Sequence, residues 1–357
     1  MKARRHESAV RTIRTRRFPI RNARARNAAL LFALLPAVCV GQRGYVLAGV
    51  PSSTDSLRVE VRIVDGARVW PETNRWSADV VARDGTRLYT IERDVAFDFP
   101  YPTLTVANDG SGVLLDAAQG RVEFLTSRGV VAAAWAPFAS PYPSYERIIK
   151  CSIGGETAAF LLSEPGAAEV RVVTTDLGGR VLWETAMPGS SAGEIVVAAD
   201  GSAILASATI EGDEIRHVTR VLGRDGSTLL EVPILFRSGD INPAAGRYLF
   251  ADRHTVVGGI VGEPVPAFRS GVGRGDRIIT AVRRGPGRSL AVTEQIDIRE
   301  GAPAYIDPEV LILADDGAIL ERARLESTSG HPASISREGP ETVVRAGTKT
   351  ARFRGIL

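Results

Sequence analysis

The side chains able to do chemistry in this 357-residue chain are few and scattered. Outside the first 41 residues, histidine occurs at His217, His254 and His331, and none stands within a recognised catalytic or metal-binding motif. No His-Glu-x-x-His zinc helix and no Gly-x4-Gly-Lys-Ser/Thr phosphate cradle is present. Asp213, Glu214, Asp240, Asp307, Asp315 and Asp316 are loop oxygens of the kind that bind calcium, but they lack the 1-3-5 spacing and internal glycine of an EF-type loop. Their ordinary reading is solvated turns. His254, after Asp252 and Arg253, could serve as a base; its ordinary reading is a strand-end residue. Gly271-Val-Gly-Arg-Gly275 does not join a strand to a long helix and reads as a loop rather than a dinucleotide cradle. Cys151 lies in the alternating stretch from Ile148 to Ile153 and reads as a small buried side chain rather than a nucleophile. No cofactor and no metal is expected.

The aromatic residues give the one positional signal. Phe97, Phe99 and Tyr101 share one connection, Phe138, Tyr142 and Tyr145 share the next, and Pro-Tyr-Pro recurs at 100–102 and 141–143. Rigid rings supply contact area at low entropy cost, which makes these six the candidate ligand-binding residues. The competing reading is that they fill the wedge between neighbouring packing units.

Charge divides the chain in two. Residues 1–41 hold ten Lys and Arg against Glu7 alone, leaving 34 basic and 40 acidic residues beyond them, a net charge of −6. The apolar run from Ala28 to Val40 is 13 residues long, too short to span a bilayer and right for the core of a secretory signal. Cleavage after Cys39-Val40-Gly41 fits, with Ala48 as a second possible site. Thr15-Arg16-Arg17-Phe18 resembles the start of a twin-arginine signal, although Pro19 and Ile20 depart from its pattern and the general secretory route is preferred. Pro36, Ala37 and Val38 before Cys39 argue against lipidation. The mature chain then keeps one cysteine, so no intramolecular disulfide and no Cys-based zinc site can form. Once the leader is removed, the argument from charge for a nucleic-acid partner disappears.

Beyond residue 55 no long segment has helical apolar spacing, whereas short alternating runs between glycine turns are frequent, so the chain reads as all-β. Asp-Gly occurs at 65, 84, 109, 200, 225 and 316, and is taken as a type I′ hairpin turn. One series of turns runs Gly66, Gly110, Gly155, Gly201, Gly246 and Gly287, at spacings of 44, 45, 46, 45 and 41. A second runs Gly85, Gly129, Gly179 and Gly226, at 44, 50 and 47, and returns at Gly317. Two hairpins per period of about 45 residues make four strands per repeat, the signature of a β-propeller blade. Seven antiparallel blades are expected over residues 42–357, with six and an N-terminal extension as the alternative. Gly44 to Val50 is expected to complete the last blade.

Val170 to Glu184 (VRVVTTDLGGRVLWE) and Glu309 to Leu320 (EVLILADDGAIL) resemble the third and fourth strands of the WD-repeat and pyrroloquinoline-quinone-type propeller superfamilies. Asp176 to Trp183 is most similar to a quinoprotein repeat, although its Trp does not recur around the chain. The resemblance implies the fold and says little about activity. Two functions follow as expectations. The first is an exported, monomeric, non-catalytic propeller that binds a protein, peptide or glycan through its loop face. The second is a propeller enzyme, quinoprotein dehydrogenase-like or a metal-dependent lactonase-like hydrolase, with acids around a central channel. Neither involves nucleic acid or a transmembrane span in the mature chain. A purely structural role in an envelope assembly would differ from the first mainly in interface size.

Overall fold

A computed structural model describes residues 45–47, 57–65, 73–82, 84–96, 101–116, 119–138, 148–210, 214–272, 276–285, 287–299, 302–338 and 340–354. These form seven antiparallel sheets in chain order. The first holds β1 (Tyr45–Leu47), β2 (Leu57–Asp65), β3 (Thr73–Ala82) and β4 (Arg87–Ala96). The second holds β5 (Thr103–Val106), β6 (Gly112–Asp116), β7 (Arg121–Leu125) and β8 (Val131–Trp135). The third holds β9 (Ile148–Gly154), β10 (Thr157–Ser163), β11 (Glu169–Asp176) and β12 (Val181–Pro188). The fourth holds β13 (Ser191–Val197), β14 (Ala203–Ile210), β15 (Arg216–Gly223) and β16 (Thr228–Val232). The fifth holds β17 (Ser238–Asn242), β18 (Arg247–Ala251), β19 (Thr255–Ile260) and β20 (Phe268–Gly271). The sixth holds β21 (Arg277–Arg284), β22 (Ser289–Arg299), β23 (Ala302–Leu313) and β24 (Ile319–Arg324), with β25 (Thr328–Ser329) added beside β23. The seventh has β26 (Ser334–Glu338), β27 (Glu341–Ala346) and β28 (Lys349–Arg354).

Side-chain alternation explains how these sheets stack. Ala158, Phe160 and Leu162 of β10 pack toward the second sheet, while Ala159 and Leu161 between them pack toward the fourth. Both faces are covered, so a second strand such as TAAFLLS is apolar at every position from Ala158 to Leu162 instead of alternating with polar residues. Six apolar clusters of this kind join each sheet to the next, from the first through to the seventh. Burial on two faces is the main stabilising term, at roughly 25 cal/mol per Å² of apolar surface removed from water.

First strands of neighbouring sheets lie side by side, and polar links one period apart tie them. The Val197 N–H donates to Ser152 Oγ at 3.1 Å, and the Val282 N–H donates to Ser238 Oγ at 3.0 Å. Lys150 Nζ reaches Glu194 Oε1 at 3.2 Å, and the Arg284 N–H donates to Asp240 Oδ2 at 2.7 Å.

Three expectations are corrected. The Asp-Gly turns are not type I′, since Asp307 is the one non-glycine residue with positive φ among the described residues. The glycine alone is left-handed, and its N–H donates three residues back, as from Gly85 to Ala82 and from Gly226 to Gly223. Third-to-fourth-strand hairpins then carry a register shift, at Val80/Val81, Phe124/Leu125, Thr174/Thr175, Val221/Leu222 and Ile312/Leu313. This is a three-residue loop closed by a glycine bulge. Asp serves another purpose in it: Oδ1 of Asp84, Asp109, Asp200, Asp225 and Asp316 accepts the N–H of the residue after the glycine, at 2.8–3.0 Å.

Because β3–β4 carries that bulge, they are the third and fourth strands of their sheet, and the 66–72 connection joins the second to the third. Gly66, outside the described residues, therefore does not open the first-to-second-turn series, which begins at Gly110. Nor does the 44–50 segment complete the last sheet. Its Tyr45–Leu47 pairs with β2, Tyr45 opposite Ile63 and Leu47 opposite Val61, as the first strand of the first sheet. That slot is a short connection away in sequence, so filling it closes a far smaller loop than reaching the seventh sheet.

Candidate functional site

Strict antiparallel order puts the connection before each first strand and the one between second and third strands at one end of the sheets, the loop end. The first-to-second and third-to-fourth turns lie at the opposite end. Of the six aromatic candidates, Phe97, Phe99, Tyr142 and Tyr145 lie outside the described residues. Phe138 is 6% exposed, within the core between the second and third sheets. Tyr101 is half-buried against the core of the first two sheets, and its hydroxyl accepts from Asn74 Nδ2 at 2.7 Å.

The histidines are dispersed. His217 Nδ1 lies 3.2 Å from Thr209 Oγ1 on the adjacent strand. His254 and His331 are exposed, and their N–H groups donate to Asp252 Oδ1 and Ser329 Oγ. A Gly-x-Ser-x-Gly pattern is not expected from the sequence, yet Gly189-Ser190-Ser191-Ala192-Gly193 has that spacing of a nucleophile elbow. It joins β12 to β13 rather than a strand to a helix, so Ser191 starts an extended strand opposite Thr209 and is not raised on a strained turn. Cys151 packs half-buried on the core, and desolvation pushes its thiol pKa up, away from the reactive thiolate.

Several loop acids are already engaged by the fold. Asp315 Oδ1 binds both Arg247 and the almost fully buried Arg284, each at 2.6 Å. Asp240 takes the Arg284 N–H and faces Arg283. Among the described residues no group of three or more His, Cys, Asp or Glu side chains is placed to hold a metal ion.

Two exposed arginines, Arg237 and Arg253, stand at the loop end of the fifth sheet. Arg237 directly precedes β17, its N–H donating to the Ala251 carbonyl, and Arg253 sits in the β18–β19 connection, its carbonyl accepting the Ile279 N–H at 2.7 Å. The two guanidinium groups feel each other's charge. Together with desolvation, which is the larger cause, this pulls the Arg237 pKa down. Glu194 and Asp252 lie near enough to oppose that shift, and each also has another partner. Glu194 pairs with Lys150, and Asp252 Oδ1 accepts the N–H groups of His254 and Thr255 at 2.7 Å. Neither Arg237 nor Arg253 makes a side-chain hydrogen bond or ion pair with a described residue.

Tyr305 links this pair to a buried acid. Its pKa is raised, first by burial and then by Glu294, while Arg237 acts the other way. Glu294 is fully buried; Oε2 accepts the Ala333 N–H at 2.8 Å and Oε1 has no partner. Burial pushes its carboxyl pKa up, against the Thr280 hydroxyl, the Ala333 N–H and Arg277. Above it, β22 and β23 run 11 and 12 residues, longer than the strands of the other sheets, and overhang the loop end as a hairpin.

Solved structures with the same arrangement decide the architecture. The propeller of Dos1 superposes with a TM-score of 0.56 at 10% identity, over 90% of this chain and 95% of that one. The chain folds as a β-propeller. A chain of the mitotic checkpoint complex matches this propeller with a TM-score of 0.53 at 9% identity, covering 97% of this chain and 98% of the other. No protein-family model and no curated protein sequence matches it. At such identities the likeness is one of fold, in which a four-stranded antiparallel sheet is a blade. Among the described residues no helix is long and apolar enough to cross a membrane.

Proposed function

We propose that this is an exported, non-catalytic propeller of seven blades whose loop end binds a protein, peptide or glycan partner. The observation that carries the reading is the arginine pair Arg237 and Arg253, exposed at the loop end within electrostatic reach of each other and without a side-chain hydrogen bond or ion pair among the described residues. Exposed guanidinium groups that no described residue engages are available to the anionic groups of a ligand. Seven successive sheets support seven blades. Export rests on the basic leader, the 13-residue apolar run and the net −6 of the remainder. A protein partner agrees with the appearance of the fold in an assembly such as the mitotic checkpoint complex.

The test uses immobilised wild type, R237E/R253E, and R180A at the turn end as a control. A partner from the exported fraction that is retained by wild type and R180A but lost by R237E/R253E supports the reading. Equal retention by all three overturns it. Recovery of the intact leader in the soluble cytoplasmic fraction overturns the export part.

A further inference from the structure

At the turn end, away from the arginine pair, a cleft of about 270 Å³ lies between the third and fourth blades. Thr157 at the start of β10, Thr174 near the end of β11 and Trp183 of β12 line it from the third blade; Ile204 of β14 and Arg224 line it from the fourth. The hairpin turns at this end of both blades fall within the described stretches 148–210 and 214–272.

The cleft has a cause in the repeat. The third-strand residue just before the glycine bulge is Val80, Phe124, Val221 and Ile312 in the first, second, fourth and sixth blades, all buried and apolar. In the third blade it is Thr174. Phe124 is long enough to underlie the turn glycine of the next blade, where an added Cβ on Gly179 would lie 2.8 Å from its ring. Thr174 is too short for that. Its cross-strand partner Trp183 underlies Gly226 instead, and the space a larger residue at 174 would fill stays open.

Two hydroxyls face into this boundary. Thr157 and Thr174 continue the rows of Ala159 with Leu161 and of Val170 with Val172, which pack toward the fourth blade. Thr157 Oγ1 reaches that blade, since an added Cβ on Gly201 would lie 2.7 Å from it. Thr174 is 2% exposed, and its Oγ1 has no hydrogen-bond partner. A buried hydroxyl in that state is satisfied only by a group from outside the chain. Trp183 offers apolar surface alone, because its Nε1–H is taken by the Arg224 carbonyl at 2.6 Å. The same bond anchors the Arg224 backbone beside the cleft, and its exposed side chain makes no hydrogen bond or ion pair with a described residue.

These groups select a ligand class. Pockets for drug-sized molecules run to roughly 300–1,000 Å³, so this smaller one suits a molecule with a single ring. Trp183 and Ile204 favour an apolar ring, the two threonines a ring substituent that both donates and accepts, and Arg224 a carboxylate. Asp200 and Asp225, chain neighbours of Gly201 and Arg224, disfavour a dianion such as a phosphate. A hexose carries more hydroxyls than the two threonines can pair.

We infer that the cleft between the third and fourth blades binds a small hydroxylated aromatic monocarboxylate, its ring against Trp183 and Ile204, its hydroxyl on Thr157 and Thr174 and its carboxylate on Arg224. The site is separate from the loop end, so its test does not depend on the partner proposed there.

Calorimetric titration of the full chain with 4-hydroxybenzoate, 4-hydroxybenzamide and benzoate separates the contacts. The hydroxyacid is expected to bind at least about tenfold more tightly than the amide, which lacks the charge. It is expected to bind roughly three- to tenfold more tightly than benzoate, which lacks the hydroxyl. Arg224→Gln should erase the first difference and Thr174→Val the second. Thr174→Val keeps the shape and removes the unpartnered oxygen, so this variant is expected to melt no lower than wild type. Thr174→Phe fills the cleft with the residue of the second blade, and a folded T174F is expected to bind none of the three. Absence of 4-hydroxybenzoate binding to wild type, equal binding of acid and amide, or undiminished binding by R224Q, T174V or a folded T174F overturns the inference.

Discussion

The indole Nε1–H of Trp183 donates to the carbonyl of Arg224 at 2.6 Å, joining the outer strand of the third blade to the third-to-fourth-strand turn of the fourth. The same ring underlies Gly226 of that turn, where an added Cβ would lie 2.8 Å from it. The relation recurs around the propeller. Gly129 sits on Tyr89, Gly179 on Phe124 and Gly317 on Phe268, each turn glycine seated on an aromatic ring of the preceding blade. The resemblance of residues 176–183 to a quinoprotein repeat therefore has a structural outcome in this chain: the Trp183 ring and N–H are used between blades.

Comparing two glycines separates backbone strain from this contact. Gly85 and Gly226 have φ of +90° and +82°, but an added Cβ meets nothing within 4 Å at Gly85 and the Trp183 ring at Gly226. Gly85→Ala is expected to cost about 1–2 kcal/mol, the strain of a left-handed Ala. Gly226→Ala adds the overlap and is expected to lose a further ~1–3 kcal/mol. Urea denaturation of both variants checks this; equal losses would mean that the ring simply moves aside.

The Arg284 side chain ties β21 to β22 and to the β23–β24 turn within the sixth sheet, and its role is testable by shape. Its side chain is 2% exposed, donates to Ser289 Oγ and Asp315 Oδ1 at 2.6 Å each, and leaves Nε without a partner. Arg284→Ala removes both bonds and opens a void, with an expected loss of about 3 kcal/mol. Arg284→Met fills the space, and Asp315 keeps Arg247 at 2.6 Å, so most of that loss is expected to return. A Met variant as unstable as the Ala variant would assign the stability to the charge pair instead of the packing.

Blade architecture was legible because it rests on period-two alternation and on glycine turns. Gly110, Gly129, Gly155, Gly179, Gly201 and Gly226, whose spacing set the repeat, each fall between the two strands of a hairpin from β5 to β16. Turn chemistry was read less well, since Asp-Gly satisfies a type I′ turn and a glycine-bulge loop equally, and only the backbone angles separate them. The aromatic seats were hidden for a different reason. Tyr89, Phe124, Trp183 and Phe268 differ in type, and Phe124 lies on a third strand while the others lie on fourth strands, so no fixed spacing connects them. Arg237 and Arg253 gave no motif at all. The role proposed for them depends on which carboxylates are already paired, as Glu194 is with Lys150 one blade away.

Cys151 provides a check on burial in the third blade. Desolvation raises its pKa, so the thiolate that reacts with alkylating agents is scarce in the native state. Iodoacetamide at about pH 8 is expected to label the folded chain at least about tenfold more slowly than the urea-unfolded chain. Labelling at similar rates, read by mass spectrometry, would show that β9 opens readily or that the thiol is ionised.

Glu294 should give stability a pH dependence opposite in sign to that of a salt-bridged carboxylate. Below its ordinary pKa of 4.5 the group is protonated in both folded and unfolded chains and contributes nothing. As pH rises through that value the unfolded chain releases the proton, while the buried carboxyl, facing Tyr305 and Arg277 with Oε1 unpaired, retains it. Stability therefore falls with rising pH until the raised folded pKa is passed. Glu294→Gln is neutral at every pH and keeps an acceptor for the Ala333 N–H. Its stability relative to wild type should improve as pH rises above the ordinary value and level off once the raised folded pKa is passed, whatever the offset from its own unpaired amide. Melting temperatures of the two proteins across that range decide the point: parallel curves would place an ionised Glu294, stabilised by Arg277, in the folded protein.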